Sequence, residues 1–215
     1  MRRFKLKMKF KHGIVVTLAS AVFLAGCTTD KGEMKNYNEQ IQKAFDEEKS
    51  ISSTGKKLNE LEQQKQKLVK DINGNDEQKV NKTASKILDN VKERKSTFKK
   101  EVEAINKSEE DYKKAGKHIE NIGNNKKQEE VQQLDDALKA KYQAHEKYAE
   151  AYNNVLDKEE DMFKYMSGDQ IEQSKIDEKS KEVSKSYKEM DKQFKAYSKA
   201  MKKVDEEKKD VDNLI

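Results

Sequence analysis

The chain contains no proline, no tryptophan and a single cysteine among 215 residues, and only eight glycines. Without paired cysteines there is no disulfide scaffold. Without a supply of glycine and proline turns, a β-sandwich or barrel is excluded. Runs of valine and isoleucine, which a two-lobed α/β protein needs for buried parallel strands, are missing too. Apolar residues make up 33% of the chain and charged ones 40%. The length fits one domain or two small ones. The composition fits long helices built on Ala, Glu, Lys and Leu-type residues.

The first stretch is an address rather than structure. Arg2, Arg3, Lys5, Lys7, Lys9 and Lys11 come with no acid and precede an apolar run from Ile14 to Ala25. That run is too short to cross about 30 Å of hydrocarbon as a helix. A basic segment, a short apolar one and a small-residue end define a secretory signal peptide, placed at 1–26. It closes on Leu24-Ala25-Gly26-Cys27, which resembles the lipobox of bacterial lipoproteins. The resemblance implies that the Cys27 thiol receives a diacylglyceryl group, that the peptide is cut before it, and that it becomes the first mature residue. Two or three acyl chains on one cysteine give a lasting anchor, where one chain binds only reversibly. The protein is therefore expected on the extracellular face of the cell membrane, lipid-anchored, with no transmembrane helix after processing.

Cleavage also removes the apparent basic character. The formal charge of +5 comes from 46 basic and 41 acidic residues; residues 1–26 take six basic residues and no acid with them, leaving 40 against 41. Net charge then gives no argument for nucleic acid, and the excess of lysine over arginine disfavours bidentate phosphate recognition.

Residues 27–36 read as the lipidated cysteine and a polar tether, and 37–215 as the helical domain. Three turn signals stand out: Asn73-Gly74-Asn75-Asp76, Gly123-Asn124-Asn125 and Ser167-Gly168-Asp169. Each pairs a glycine suited to a left-handed helix end with an N-capping residue. Capping boxes are expected at Asn125 with Gln128 and at Asp169 with Glu172. Four segments result, near 32–72, 76–122, 126–166 and 169–215. Each carries apolar residues at steps of three and four, as in Ile87, Val91, Phe98, Val102 and Ile105, or Val183, Tyr187, Met190, Phe194 and Tyr197. The first segment is the weakest, with Ser52-Ser53-Thr54-Gly55 as a candidate break. Sustained heptad spacing predicts left-handed packing. The fold class is thus all-α, a long four-helix up-and-down bundle. The competing arrangement is a three-helix, spectrin-like bundle with the first segment splayed.

Little in this pattern carries chemistry. A metal bundle places Glu-x-x-His pairs inside its core, but His118 follows Ala115 and His145 follows Tyr142 at that spacing. His145 reads as core and His118 as exposed, and no metal or cofactor is expected. Glu109-Glu110-Asp111 and Glu159-Glu160-Asp161 read as solvated charge runs, because adjacent helix residues point apart. Arg94, the sole arginine after residue 26, lies on the seam of the second helix, level with Thr54, Gly55, Asn154 and Glu182. Two readings compete: a buried ion reaching Glu159 or Glu182, or an arginine at the edge with its head in water. The second is preferred. Among the aromatics of the third helix, Tyr148 and Tyr152 fall in the core stripe. Tyr142 and Tyr165 are the candidate partner contacts, since tyrosine offers an apolar body and a polar tip. The chain reads as non-enzymatic.

The lipobox, the polar tether and four charged heptad helices together resemble the YkyA-type family of cell-wall-binding lipoproteins of low-GC Gram-positive bacteria. The resemblance implies a four-helical up-and-down bundle and an envelope role through wall binding, with no ligand-binding residues to carry over. Expected partners are the membrane, through the anchor, and a cell-wall polymer or envelope protein. Near-neutral charge argues against bulk attraction to anionic wall polymers unless Lys202-Lys203 and Lys208-Lys209 act locally. A transporter-type solute receptor and a host-directed helical adhesin are the alternatives. The receptor requires a ligand pocket of roughly 300–1,000 Å³.

Overall fold

The computed structural model describes residues 29–72 and 76–214. The signal segment, Cys27 and the lipobox residues Leu24, Ala25 and Gly26 lie outside the described residues, as does Gly74. Among the described residues every regular element is helical: α1 (Thr29–Glu47), α2 (Ile51–Asp71), α3 (Glu77–Lys113), α4 (Asn125–Met166) and α5 (Gln173–Asp212), with single 3₁₀ turns at Glu48–Ser50 and Gly116–His118. The all-α expectation is borne out. No helix among these residues is long and apolar enough to cross a membrane.

The described chain divides into two compact units. The first takes Ile51–Lys100 and Glu150–Met190, and the second residues 29–50, Glu101–Ala149 and Asp191–Ile215 as far as they are described. In the first unit, side-chain pairs show successive helices running antiparallel. Lys57 meets Glu93 and Asn90 meets Leu61 between α2 and α3. Phe98 packs edge-on against Tyr152 while Arg94 reaches Glu159 between α3 and α4. Lys158 meets Glu182 and Asp161 meets Lys179 between α4 and α5. Leu61, Ile87, Val91, Leu156, Met162 and Val183 are buried between these helices. Burying each such side chain stabilises the fold by about 1.5–3 kcal/mol.

The second unit repeats the antiparallel order with other residues. Glu33 meets His118 and Glu48 meets Ser108 between α1 and the α3 region. Tyr112 reaches Asp135 and Ser108 reaches Tyr142 between α3 and α4. Tyr148 stacks on Tyr197 and meets Phe194 between α4 and α5. Its core holds Met34, Tyr37, Ile41, Leu134, Leu138 and Val211.

Several sequence expectations shift. The supposed tether is helical from Thr29, because Met34 and Tyr37 turn inward and are fully buried. The first segment breaks at Glu48–Ser50, one turn before Ser52-Ser53-Thr54-Gly55; Gly55 sits exposed inside α2. The second segment ends at Lys113, where the backbone tightens into three-residue hydrogen bonds through Ile122. The caps fall elsewhere too. Asn124, not Asn125, caps α4 by accepting the Lys127 N–H at 3.1 Å, and Gln128 Nε2 donates to Ile119 O instead. Asp169 does not cap α5; the Glu172 N–H donates to Tyr165 Oη at 2.8 Å. Asp76 does cap α3, through the Lys79 N–H. Gly123 and Gly168 both lack the left-handed backbone assigned to them.

Candidate functional site

The densest chemistry lies inside the first unit. Arg94, Lys65, Glu159 and Glu62 are 0, 1, 1 and 5% exposed. They come from α3, α2, α4 and α2, and α5 adds Tyr187. Arg94 donates from Nε to Asn90 Oδ1 at 3.0 Å, from Nη1 to Glu62 Oε2 at 3.0 Å, and from Nη2 to Glu159 Oε2. Lys65 Nζ donates to Glu159 Oε1 and Tyr187 Oη, both at 2.7 Å. Tyr187 Oη donates onward to Glu159 Oε1 at 2.6 Å. Glu62 Oε1 lies 2.5 Å from Lys65 Nζ, an ion contact off the hydrogen-bond line. Asn90 turns its amide nitrogen to Leu61 O at 2.8 Å, which fixes its oxygen toward Arg94.

Two cations and two carboxylates cancel. Isolated ions at this depth are costly, and pairing with full hydrogen bonding is what makes them tolerable. Burial alone would raise the Glu159 carboxyl, but the Lys65 and Arg94 charges overcome it and hold the carboxyl down at about 2. Burial works against the Arg94 charge as well, and Glu159 first and Glu62 after it more than compensate. Burial and the adjacent Glu159 charge push the Tyr187 phenol well up, so it stays a donor.

Arg94 is therefore fully buried, and the preferred reading of a guanidinium in water is wrong. The carboxylate it reaches is Glu159; Glu182 pairs with the exposed Lys158. Glu159 likewise leaves the solvated run to which it was assigned. Arg94 also meets α2 at Glu62, about two turns from the expected Thr54 level, because α3 starts at Glu77 and its long side chain spans a turn.

The second unit has a smaller polar layer. Lys141 is buried, pairs with Glu48, and lies 5.2 Å from the Phe45 ring centre and 4.8 Å from that of Tyr142. Ser108 Oγ joins Glu48 Oε1 at 2.5 Å and Tyr142 Oη at 2.8 Å. Tyr142 is thus turned inward, stacked on Tyr112 at 5.2 Å, and its surface is already spent on the core. Tyr165 remains half-exposed, with Lys175 and Lys179 ammonium groups 5.9 and 5.8 Å from its ring centre. His145 is core, edge-on to Tyr197 at 5.1 Å, with Glu101 Oε1 3.5 Å from a ring nitrogen that makes no hydrogen bond. His118 is not the exposed residue expected, because its Nδ1 meets Glu33 Oε2 at 2.7 Å. Carboxylates of Glu130, Glu207 and Asp210 converge within 4.8 Å, but Lys203 already pairs with Glu207.

Both polar layers bind the chain to itself, so their buried charges are taken up by internal partners. The family match agrees in extent. The chain belongs to the YkyA family, described as "Putative cell-wall binding lipoprotein", whose model matches residues 32–214. An uncharacterized lipoprotein YkyA of Bacillus subtilis (strain 168) is 23% identical over 172 residues, covering 79% of this chain and 77% of that protein. The crystal structure of a conserved protein of unknown function from Staphylococcus aureus has a TM-score of 0.79 and 39% sequence identity, covering 87% of this chain and 97% of that one.

Proposed function

We propose that the chain is a lipid-anchored envelope protein, held by Cys27 on the outer face of the membrane, that binds cell-wall material through the exterior of its helices. The observation that carries this reading is the family match, running from residue 32 to 214 directly behind Leu24-Ala25-Gly26-Cys27. The interior supports it indirectly: Arg94, Lys65, Glu62 and Glu159 satisfy one another, so a wall ligand has to meet surface side chains. Tyr165 is the best placed, a half-exposed ring flanked by Lys175 and Lys179. A ring face suits a sugar; both ammonium groups already pair within the chain, Lys175 with Glu172 and Lys179 with Asp161.

Two measurements test the reading. Cys27→Ala should leave uncleaved precursor or release the protein into the medium; normal processing with full membrane retention rejects the anchor. Purified protein should co-sediment with isolated wall at physiological salt, and Tyr165→Ala should weaken this with the far-UV spectrum unchanged. Wild-type protein that stays in the supernatant rejects wall binding.

A further inference from the structure

We propose that the connection between α3 and α4 is a membrane-docking surface, whose lysines rest on the anionic headgroups of the phospholipid layer that holds the anchor. This rests on the Cys27 anchor of the proposed function and adds which end of the second unit faces the lipid, and why.

Chain length comes first. Helix α1 begins at Thr29, so Cys27 is two residues from rigid structure, a reach of about 7 Å even when extended. The start of α1 is in turn fastened to the α3–α4 connection at two points. Asp30 Oδ1 accepts the Gly123 N–H at 2.9 Å, and Glu33 Oε2 meets His118 Nδ1 at 2.7 Å. Ile119 and Ile122 are buried beneath that connection and hold it down. A lipid on Cys27, two residues from the start of α1, therefore brings residues 113–127 close to the headgroups.

The charge there fits such a surface. Residues 112–128 hold Lys113, Lys114, Lys117, Lys126 and Lys127 against one acid, Glu120. Lys113 and Lys114 pair with Glu109 and Asp111 of their own helix, in exposed contacts of little strength. Lys117, Lys126 and Lys127 have no ion-pair partner among the described residues. The two acids nearest the patch on α1 are occupied, Asp30 by a backbone amide and Glu33 by His118.

Lys126 and Lys127 stand in the first turn of α4, which contains no acid. Cations there oppose the helix dipole, and acids are the stabilising choice. An outside layer of negative charge removes that conflict. Each lysine close to an anionic bilayer strengthens association roughly fivefold, so the three unpaired ones together contribute about a hundredfold.

Full-length protein extracted from membranes with its anchor provides the test. Cys27 is the only cysteine, and its acylated thiol is blocked, so Asn125→Cys gives one fluorescent label at the exposed start of α4. The protein is reconstituted into vesicles of phosphatidylcholine alone or with phosphatidylglycerol, each carrying a headgroup-level quencher. The proposal expects stronger quenching on the phosphatidylglycerol vesicles, reduced by high salt and abolished in Lys117→Gln/Lys126→Gln/Lys127→Gln. Equal quenching on both vesicles, or a triple variant that behaves as wild type, overturns the docking while leaving the anchor standing. Indifference to phosphatidylglycerol, together with a label response to soluble poly(glycerol phosphate), assigns the patch to wall polymer and also overturns it. A protein mass without the diacylglyceryl group overturns the anchor reading and the docking with it.

Discussion

Replacing Arg94 with methionine keeps most of the side-chain volume and removes one buried charge, and the cost can be worked from its partners. Glu62 Oε2 and Glu159 Oε2 each lose their donor, and Asn90 Oδ1 loses a third contact. Lys65 remains, so two carboxylates face one cation in the interior. A hydrogen bond to a charged group contributes about 1.5–3 kcal/mol, and breaking a buried pair by removing one partner costs about 3–5 kcal/mol. For a chain of this size 1 kcal/mol moves Tm by about 2–4 °C, so Arg94→Met should lower Tm by roughly 6–20 °C. Urea unfolding followed by far-UV circular dichroism measures the free energy directly. Arg94→Lys should recover only part, since a point charge cannot span three acceptors. Converting the layer together (Glu62→Leu, Lys65→Met, Arg94→Met, Glu159→Leu, Tyr187→Phe) should cost far less than Arg94→Met alone, because no ion is left unpaired. A loss below about 1 kcal/mol for Arg94→Met, the level of an exposed pair, would show that the guanidinium is not buried among these carboxylates.

Three other outcomes follow from single groups. The folded Glu159 carboxyl is held down at about 2 against an ordinary 4.5, so the unfolded chain takes up a proton first as pH falls; the contribution of this group to stability should be full above about pH 4.5 and decline toward pH 2, and the acid-side decline should be less steep in Glu159→Gln. Burial raises the phenols of Tyr37, Tyr112, Tyr142, Tyr152, Tyr187 and Tyr197 above their ordinary 10.0, so stability is full below pH 10 and falls above it; absorbance near 295 nm should show these six ionising only with cooperative unfolding, and gradual titration before it would contradict their burial. Asn124→Ala removes the α4 cap and should cost about 1 kcal/mol, whereas Asn125→Ala should be nearly silent; equal effects would return the cap to Asn125.

Helices and turns were legible because apolar spacing and polar breaks are local signals. The buried layers were not, because a stripe traced through apolar residues alone passes over polar members of the same face. The gaps were nonetheless in the sequence. The stripe of α3 jumps from Val91 to Phe98 with Arg94 between, that of α4 from Val155 to Met162 across Glu159, and that of α2 weakens between Leu61 and Leu68 at Glu62 and Lys65. The second unit shows the same pattern at Ser108, between Ile105 and Tyr112, and at Lys141, between Leu138 and His145. Aligned seven-residue gaps filled by opposite charges on different helices are the signal that would have found the first layer; in the second, Ser108 is neutral and Lys141 finds its carboxylate, Glu48, in the turn after α1. The clamp of Asp30 on Gly123 joins residues 93 positions apart, and no local rule reaches that far.

The gaps also explain why a chain so poor in apolar residues can fix one alignment. A narrow seam of Leu, Ile, Val and Met tolerates a heptad slip, since one aliphatic knob fills another's hole nearly as well. The charged layer does not. Sliding α3 by seven residues in one direction sets Ile87 where Arg94 stood, leaving Glu62 and Glu159 with Lys65 alone. Sliding it the other way sets Glu101 there, a third carboxylate beside two. Either slip leaves unpaired buried charge, with a cost of several kcal/mol, comparable to the whole stability of an ordinary domain. Register is the best-attested use of such layers. Register also decides which exposed side chains of neighbouring helices stand side by side. A single buried arginine thus governs the surface without touching it.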